Sequence, residues 1–195
     1  MKVLIVDASA RSDGLTARMS KAAEAGARQA GATVEWVSLQ KLKLERCRMC
    51  EPNGWGDCRK KGSCVIDDDF ADLVERLRGA DRFIFATPVY FGDLSESARA
   101  MTDRLRRIGV CPENRAFLDN LPTVCIAAAG GGGGGTPSCM GSLDKALTTP
   151  GCFVVDLVPV ARRNEAYKAD VLKLTGQALA GEAPDSWPER QGRQR

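Results

Sequence analysis

An α/β fold with a doubly wound, five-stranded, mostly parallel sheet is predicted by three observations. Five short apolar runs are each followed by a segment of helical apolar spacing, a βα alternation that persists from end to end. The first run, KVLIVD, is near-continuously apolar, as a strand buried on both faces is. The chain has 195 residues, 44% hydrophobic and 27% charged, which suits one globular domain with a core that needs no disulfide staples.

The elements follow in order. Residues 2–7 (KVLIVD) form the first strand. Leu15, Met19, Ala22, Ala23, Gly26, Ala27 and Ala30 repeat as one helical face. Residues 33–38 (TVEWVS) are the second strand, and a long loop over 40–66 holds the first cysteine group. Asp67, Asp68 and Asp69 offer N-cap oxygens to a helix carrying Phe70, Leu73, Val74 and Leu77. Residues 82–87 (RFIFAT) are strand three, and Leu94, Ala98, Met101, Leu105 and Ile108 mark the next helix. Residues 122–128 are strand four. After a glycine run, Met140, Leu143 and Leu147 form a helix that stops at Thr149-Pro150-Gly151. Residues 152–160 are strand five, and Tyr167, Val171, Leu174 and Ala178 are the face of the last helix. Residues 181–195, rich in Pro, Gln and Arg, read as a loose tail after a 1–180 domain.

Composition narrows the chemistry. The chain has no histidine, which excludes Ser-His-Asp and Cys-His nucleophilic sites, His-ligated zinc and His bases. No apolar stretch approaches the roughly 18 residues that span a bilayer. The first residues read as a buried strand, not a signal peptide. A cytoplasmic location is expected, with no membrane partner, and the eight cysteines are expected as thiols or ligands. The net charge of +3 is too small to indicate nucleic acid. Locally, residues 41–64 carry +4, and four of the cysteines lie there.

In a doubly wound sheet the ligand lies beyond the carboxyl ends of the strands, so the loops after strands one, three and four matter most. The first, Ala8-Ser9-Ala10-Arg11-Ser12-Asp13-Gly14-Leu15-Thr16, is rich in hydroxyls and opens a helix. It suits a phosphate at a helix N-terminus, or it is an ordinary capped turn. It is neither a Walker loop nor GxGxxG. The second, Thr87-Pro88-Val89-Tyr90-Phe91-Gly92-Asp93, offers an aromatic wall for a flat ring, or a core aromatic pair. The third follows Ala128-Ala129 with six glycines, which let backbone approach a ligand or simply flex.

Taken together, these residues resemble a family. Ser9-x-Arg11-x-x-Gly14-x-Thr16, Cys47-x-x-Cys50, Gly62-x-Cys64-x-Ile66-x-Asp68, Ala80-Asp81-x-x-Ile84-Phe85-x-Thr87-Pro88-Val89-Tyr90 and Asp103-Arg104 follow in order. The pattern is similar to the NAD(P)H-dependent FMN reductases, and within them to the iron–sulfur flavoprotein branch. The resemblance implies a flavodoxin-like strand order of 2-1-3-4-5. It implies that Ser9, Arg11, Ser12, Gly14, Leu15 and Thr16 cradle an FMN phosphate. Pro88, Val89, Tyr90, Phe91, Gly92 and Asp93 would border the isoalloxazine ring, and Ala129, Gly130 and Gly131 its pyrimidine edge. Leu15 stands where the family usually has Asn, and Arg99 where it often has Lys. Asp103 and Arg104 alone read equally as a helix-surface ion pair.

Four cysteines at Cys47-x2-Cys50-x7-Cys58-x5-Cys64 favour a metal or cluster over disulfides. Zinc ribbons prefer two CxxC pairs, and one is present. The family's compact spacing is matched by the first pair and the last cysteine. The third is displaced, as though Pro52-Asn53-Gly54-Trp55-Gly56 were inserted. The resemblance implies a [4Fe–4S] cluster on Cys47, Cys50, Cys58 and Cys64. It also implies ferredoxin or NAD(P)H as electron donor, a small acceptor such as a quinone, oxygen or peroxide, and a homodimer or homotetramer. The alternatives are a cluster-free NAD(P)H:FMN or quinone reductase, and a non-catalytic carrier or zinc/thiol redox sensor.

Overall fold

A computed structural model describes residues 1–190. The chain runs β1 (Lys2–Asp7), α1 (Leu15–Gln29), β2 (Thr33–Ser38), a 3-10 turn at Leu39–Lys41, and α2 (Asp57–Lys60). It continues through α3 (Phe70–Arg78), β3 (Arg82–Tyr90), β4 (Asp93–Leu94), α4 (Glu96–Ile108) and α5 (Pro112–Leu118). It closes with β5 (Pro122–Ala129), α6 (Thr136–Thr148), β6 (Phe153–Ala161) and α7 (Glu165–Ala180). The long strands are parallel in the order β2-β1-β3-β5-β6. This is the expected five-strand flavodoxin-like order. The addition is β4, which pairs antiparallel with the end of β3.

Alternation along β1 divides the core. Leu4 and Val6 face a cluster with Phe70, Leu77, Met101 and Leu143, from α3, α4 and α6. Val3 and Ile5 face the other side with Met19, Ala23, Leu172 and Leu179, from α1 and α7. One strand thus buries both faces, which is why its sequence is a solid apolar run.

The packing of α7 corrects the expected apolar face. Tyr167 and Leu174 are 57% and 64% exposed, and Val171 also faces solvent. The buried face is Leu172, Gly176, Leu179 and Ala180. The reason is close approach. A Cβ at Gly176 would lie 2.1 Å from the Ala23 carbonyl oxygen, and one at Gly26 would lie 1.9 Å from that of Lys173. Helices α1 and α7 touch backbone to backbone, and only the small face of α7 permits it. Gly26→Ala is expected to lower stability by about 2–3 kcal/mol, because neither carbonyl can move aside. Urea unfolding checks this, and a midpoint equal to the parent's would contradict the close crossing.

Residues 181–190 are strapped down rather than loose. Trp187 meets Phe153 edge-on at 6.2 Å, with the Arg82 guanidinium 5.6 Å from its ring. Arg190 donates to the carbonyls of Ala80, Asp81 and Phe117. Residues 191–195 of the expected tail lie outside the described residues. Among the described residues, no helix is long and apolar enough to cross a membrane.

Candidate functional site

Two clefts collect the residues singled out above. The first lies at the carboxyl edge of the sheet and measures about 570 Å³. Ser9, Arg11, Gly14, Leu15 and Thr16 line it from the loop after β1 and the start of α1. Pro88, Val89 and Tyr90 line it from the end of β3, and Gly130 from the loop after β5. Three loops distant in sequence meet because parallel strands all end on one edge.

The chemistry of this cleft suits an anion. Helix α1 opens at Gly14 with no side-chain cap and no acidic residue in its first turn, so bare N–H groups point outward. Ser9 is 6% exposed, and its Oγ is buried without a hydrogen-bond partner. A buried hydroxyl facing a cleft beside bare amides fits a phosphate that accepts from both. Arg11 is turned outward: Asp13 holds it bidentately at 3.0 and 2.8 Å, and both side chains are exposed. Asp7, below Ser9, accepts the Ser9 N–H at 2.6 Å, and burial raises its carboxyl pKa.

The remaining candidates are placed elsewhere. Ser12 lines a neighbouring hollow with Lys21, Trp36 and Lys41. Phe91, at φ +50°, projects fully into solvent. Gly92, at φ +79°, abuts Gly135, where a Cβ would come 2.5 Å from the Gly92 Cα. Asp93 pairs with Arg99, and the backbone N–H of Leu94 donates to it. Ala129 is buried at the end of β5, and Gly131 has no neighbour within 4 Å of a built Cβ. Sequence reasoning missed Arg18, Arg162 and Glu165, which also line the cleft. Arg18 meets Glu165 at 2.6 Å, and that bond raises the arginine's pKa. The available signal was position: Arg162 and Glu165 follow β6 on the same sheet edge.

The second cleft is lined by all four cysteines of the basic loop, together with Trp55 and Arg104. These four are the partly or fully exposed thiols, while Cys111, Cys125, Cys139 and Cys152 are buried. Burial pushes the Cys139 thiol up to about 11 and the Cys152 thiol to about 12, so those two are packing residues. The insertion folds back, as its turn residues suggest. Gly54 N–H donates to the Glu51 carbonyl at 2.7 Å, and Trp55 N–H to Asn53 Oδ1 at 2.9 Å. The guanidinium groups of Arg59 and Arg107 lie 5.4 and 5.2 Å from the centre of the Trp55 ring. Helix α2 then presents Cys58. Gly56 leaves space at Cys50, whose Cβ would stand 3.2 Å from a built one.

A latch closes the base of this loop. Arg104 and Asp68 form a bidentate ion pair at 2.6 and 2.8 Å, with side chains 2% and 0% exposed. Arg104 is thus an interior residue, not half of a surface pair with Asp103. It also donates to the Glu45 carbonyl at 3.1 Å and lies 4.1 Å over the Phe70 ring. Burial pulls its pKa down, and Asp68 and neighbouring Cys64 more than reverse that. Asp68 accepts from Glu45 N–H and Phe70 N–H, while Asp69 accepts from Lys43 N–H rather than capping α3.

Among the described residues, no three Cys, Asp or Glu side chains converge closely enough to hold one ion. Zinc would need sulfurs about 3.8 Å apart, from a Zn–S bond of about 2.3 Å. The four cysteines line one cavity of about 20 Å³, and their thiolates are soft donors of the kind that both zinc and iron–sulfur sites take.

The family profile described as NADPH-dependent FMN reductase matches residues 1–164. The chain belongs to that family. An iron–sulfur flavoprotein of Methanocaldococcus jannaschii is 32% identical over 117 residues, 59% of this FMN reductase family chain and 58% of that protein. Another, from Methanosarcina thermophila, is 31% identical over 118 residues, 59% of each chain. The match thus spans under three-fifths of both relatives. Among solved structures, the NAD(P)H:quinone oxidoreductase of Methanothermobacter marburgensis gives a TM-score of 0.68 at 18% identity, covering 94% of this chain and 98% of that one. Two-electron reduced flavodoxin of Megasphaera elsdenii gives 0.56 at 16%, covering 90% and 98%. These two likenesses are of fold. The FMN reductase family is one of flavin-dependent oxidoreductases.

Proposed function

We propose that the chain is an FMN-dependent electron-transfer oxidoreductase that also holds a [4Fe–4S] cluster on Cys47, Cys50, Cys58 and Cys64. Electrons pass between ferredoxin or NAD(P)H and a small acceptor such as a quinone, oxygen or peroxide. The observation that carries this reading is the pairing of two clefts in one family member. One offers Ser9 and the bare amides of α1, and the other is lined by four unpaired thiols.

When bound, the flavin accepts a hydride or single electrons and the cluster exchanges one at a time. The chain's own part is placement. Ser9 and the first turn of α1 hold the phosphate, and Thr16 backs it. Pro88, Val89 and Tyr90 border the ring and keep water from one side. Arg162 brings positive charge to the cleft mouth, where Glu165 offsets that of Arg18. No side-chain acid or base is needed, in keeping with a chain without histidine. The exposed stripe of Tyr167, Val171 and Leu174, and the bare ring of Phe91, support a homodimer or homotetramer that covers them.

Ser9→Ala is expected to weaken FMN by about 1.5–3 kcal/mol, roughly 10- to 150-fold in Kd, through loss of a charge-assisted bond. Fluorescence titration of apoprotein with FMN measures it. A Kd equal to the parent's would place the phosphate elsewhere. The cluster-free reductase keeps the first cleft and loses the second. The visible spectrum of anaerobically purified protein separates the two: flavin bands alone favour the reductase, and a broad added shoulder favours the cluster.

A further inference from the structure

The wall of the cysteine cleft holds two hydrogen-bond donors without acceptors. Arg104 Nε and Arg107 Nε are both buried and neither makes a hydrogen bond. Both side chains line the cleft that the four cysteines share. The remainder of each guanidinium is already fixed. Asp68 and the Glu45 carbonyl hold Arg104, and Phe70 stacks beneath it. Arg107 donates to the Gly54 carbonyl and lies 5.2 Å from the Trp55 ring centre. Buried donors are seldom left without acceptors, so two on residues that line one cleft point to an acceptor held in that cleft.

We propose that Arg104 and Arg107 donate their Nε–H groups to the sulfur atoms of the cluster held by Cys47, Cys50, Cys58 and Cys64, and raise its reduction potential. This rests on the cluster reading above. Four thiolates leave such a cluster net negative, and one electron from an external reductant makes it more so. Donors and positive charge at the sulfurs therefore favour the reduced form over the oxidised one. The placement of the two residues is specific. Arg104 ties Glu45, just before Cys47, to Asp68, just after Cys64. Arg107 ties the turn between Cys50 and Cys58 to α4. Each is a positioning residue for a different pair of ligands. Arg107 has the larger electrostatic role, because a carbonyl and a ring do not offset its charge as Asp68 offsets that of Arg104.

The test uses the full chain reconstituted anaerobically with iron and sulfide. Arg107→Lys, Arg107→Gln and Arg104→Lys are titrated with dithionite while the electron paramagnetic resonance of the reduced cluster is followed. Iron, sulfide and FMN contents are measured in parallel. Arg107→Lys, which keeps charge but loses the planar N–H, is expected to load iron and shift the midpoint to more negative values. Arg107→Gln is expected to shift it further in the same direction. Arg28→Gln, on α1, is expected to leave it unchanged. If Arg104→Lys fails to fold, the Arg107 variants decide. Iron-loaded Arg107 variants with the parent's midpoint overturn the arginine assignment and leave the cluster reading standing. Parent protein that takes up no iron and sulfide overturns the cluster reading and this assignment with it.

Discussion

Asp68→Ala is expected to destabilise the protein by about 3–5 kcal/mol, the cost of leaving a buried arginine uncompensated. Against a total stability of about 5–15 kcal/mol this is a large fraction. The cause is local: Arg104, 2% exposed, loses both carboxylate bonds, and the N–H groups of Glu45 and Phe70 lose their acceptor. Urea unfolding measures it, with Asp103→Ala, one residue from Arg104 and only half-buried, as a near-neutral control. A midpoint equal to the parent's would show that the latch carries little energy. Arg104→Met added to Asp68→Ala is expected to recover part of the loss, because no charge is then stranded. A pH dependence follows. Burial alone would raise the Asp68 carboxyl, but hydrogen bonds from Arg104 and two backbone amides hold it below its ordinary value of 3.8. A depressed folded pKa stabilises fully above the unfolded value, and that contribution is lost as pH falls through the folded one. The parent is therefore expected to lose stability below about pH 4 more steeply than Asp68→Ala does.

Cys58→Ala is expected to cut iron and acid-labile sulfide severalfold while FMN still binds. The cleft is lined by Cys47, Cys50, Cys58 and Cys64, and α2 delivers Cys58 after the Trp55 turn. Asp57 beside it is a poorer donor, since iron–sulfur sites favour soft thiolate, and its carboxylate is bonded to Lys61 at 2.9 Å. Iron and sulfide are assayed after anaerobic reconstitution. A full four-iron complement in Cys58→Ala would assign the fourth ligand elsewhere, and zinc without iron in the parent would end the cluster reading.

Strands β1, β3 and β5 were legible because each is a short bounded apolar run buried on both faces. The end of β3 was less so: residues 82–87 were expected, yet the strand continues to Tyr90, where Val89 and Tyr90 pair with β4. Helices α2 and α5 escaped notice, being four and seven residues long. Too few turns exist in either for periodicity to register. The apolar stripe of α7 misled because hydrophobic spacing reports a helix face without saying what covers it. Three loops of the first cleft were legible from topology alone. Arg104 was not, since adjacent opposite charges look like a surface pair until tertiary contact turns one inward.

The glycine contact between α1 and α7 joins positions 26 and 176, near opposite ends of the chain. Such a contact raises contact order, and the loop it closes spans most of the molecule. Met19 and Ala23 of α1 pack with Val3 and Ile5 of β1 and with Leu172 and Leu179 of α7, so this side of the core is complete only once α7 has docked. That side of the core therefore stays incomplete until α7 has been made. Folding of the two halves of the core is thus ordered in time, with the α3, α4 and α6 side able to consolidate before its opposite.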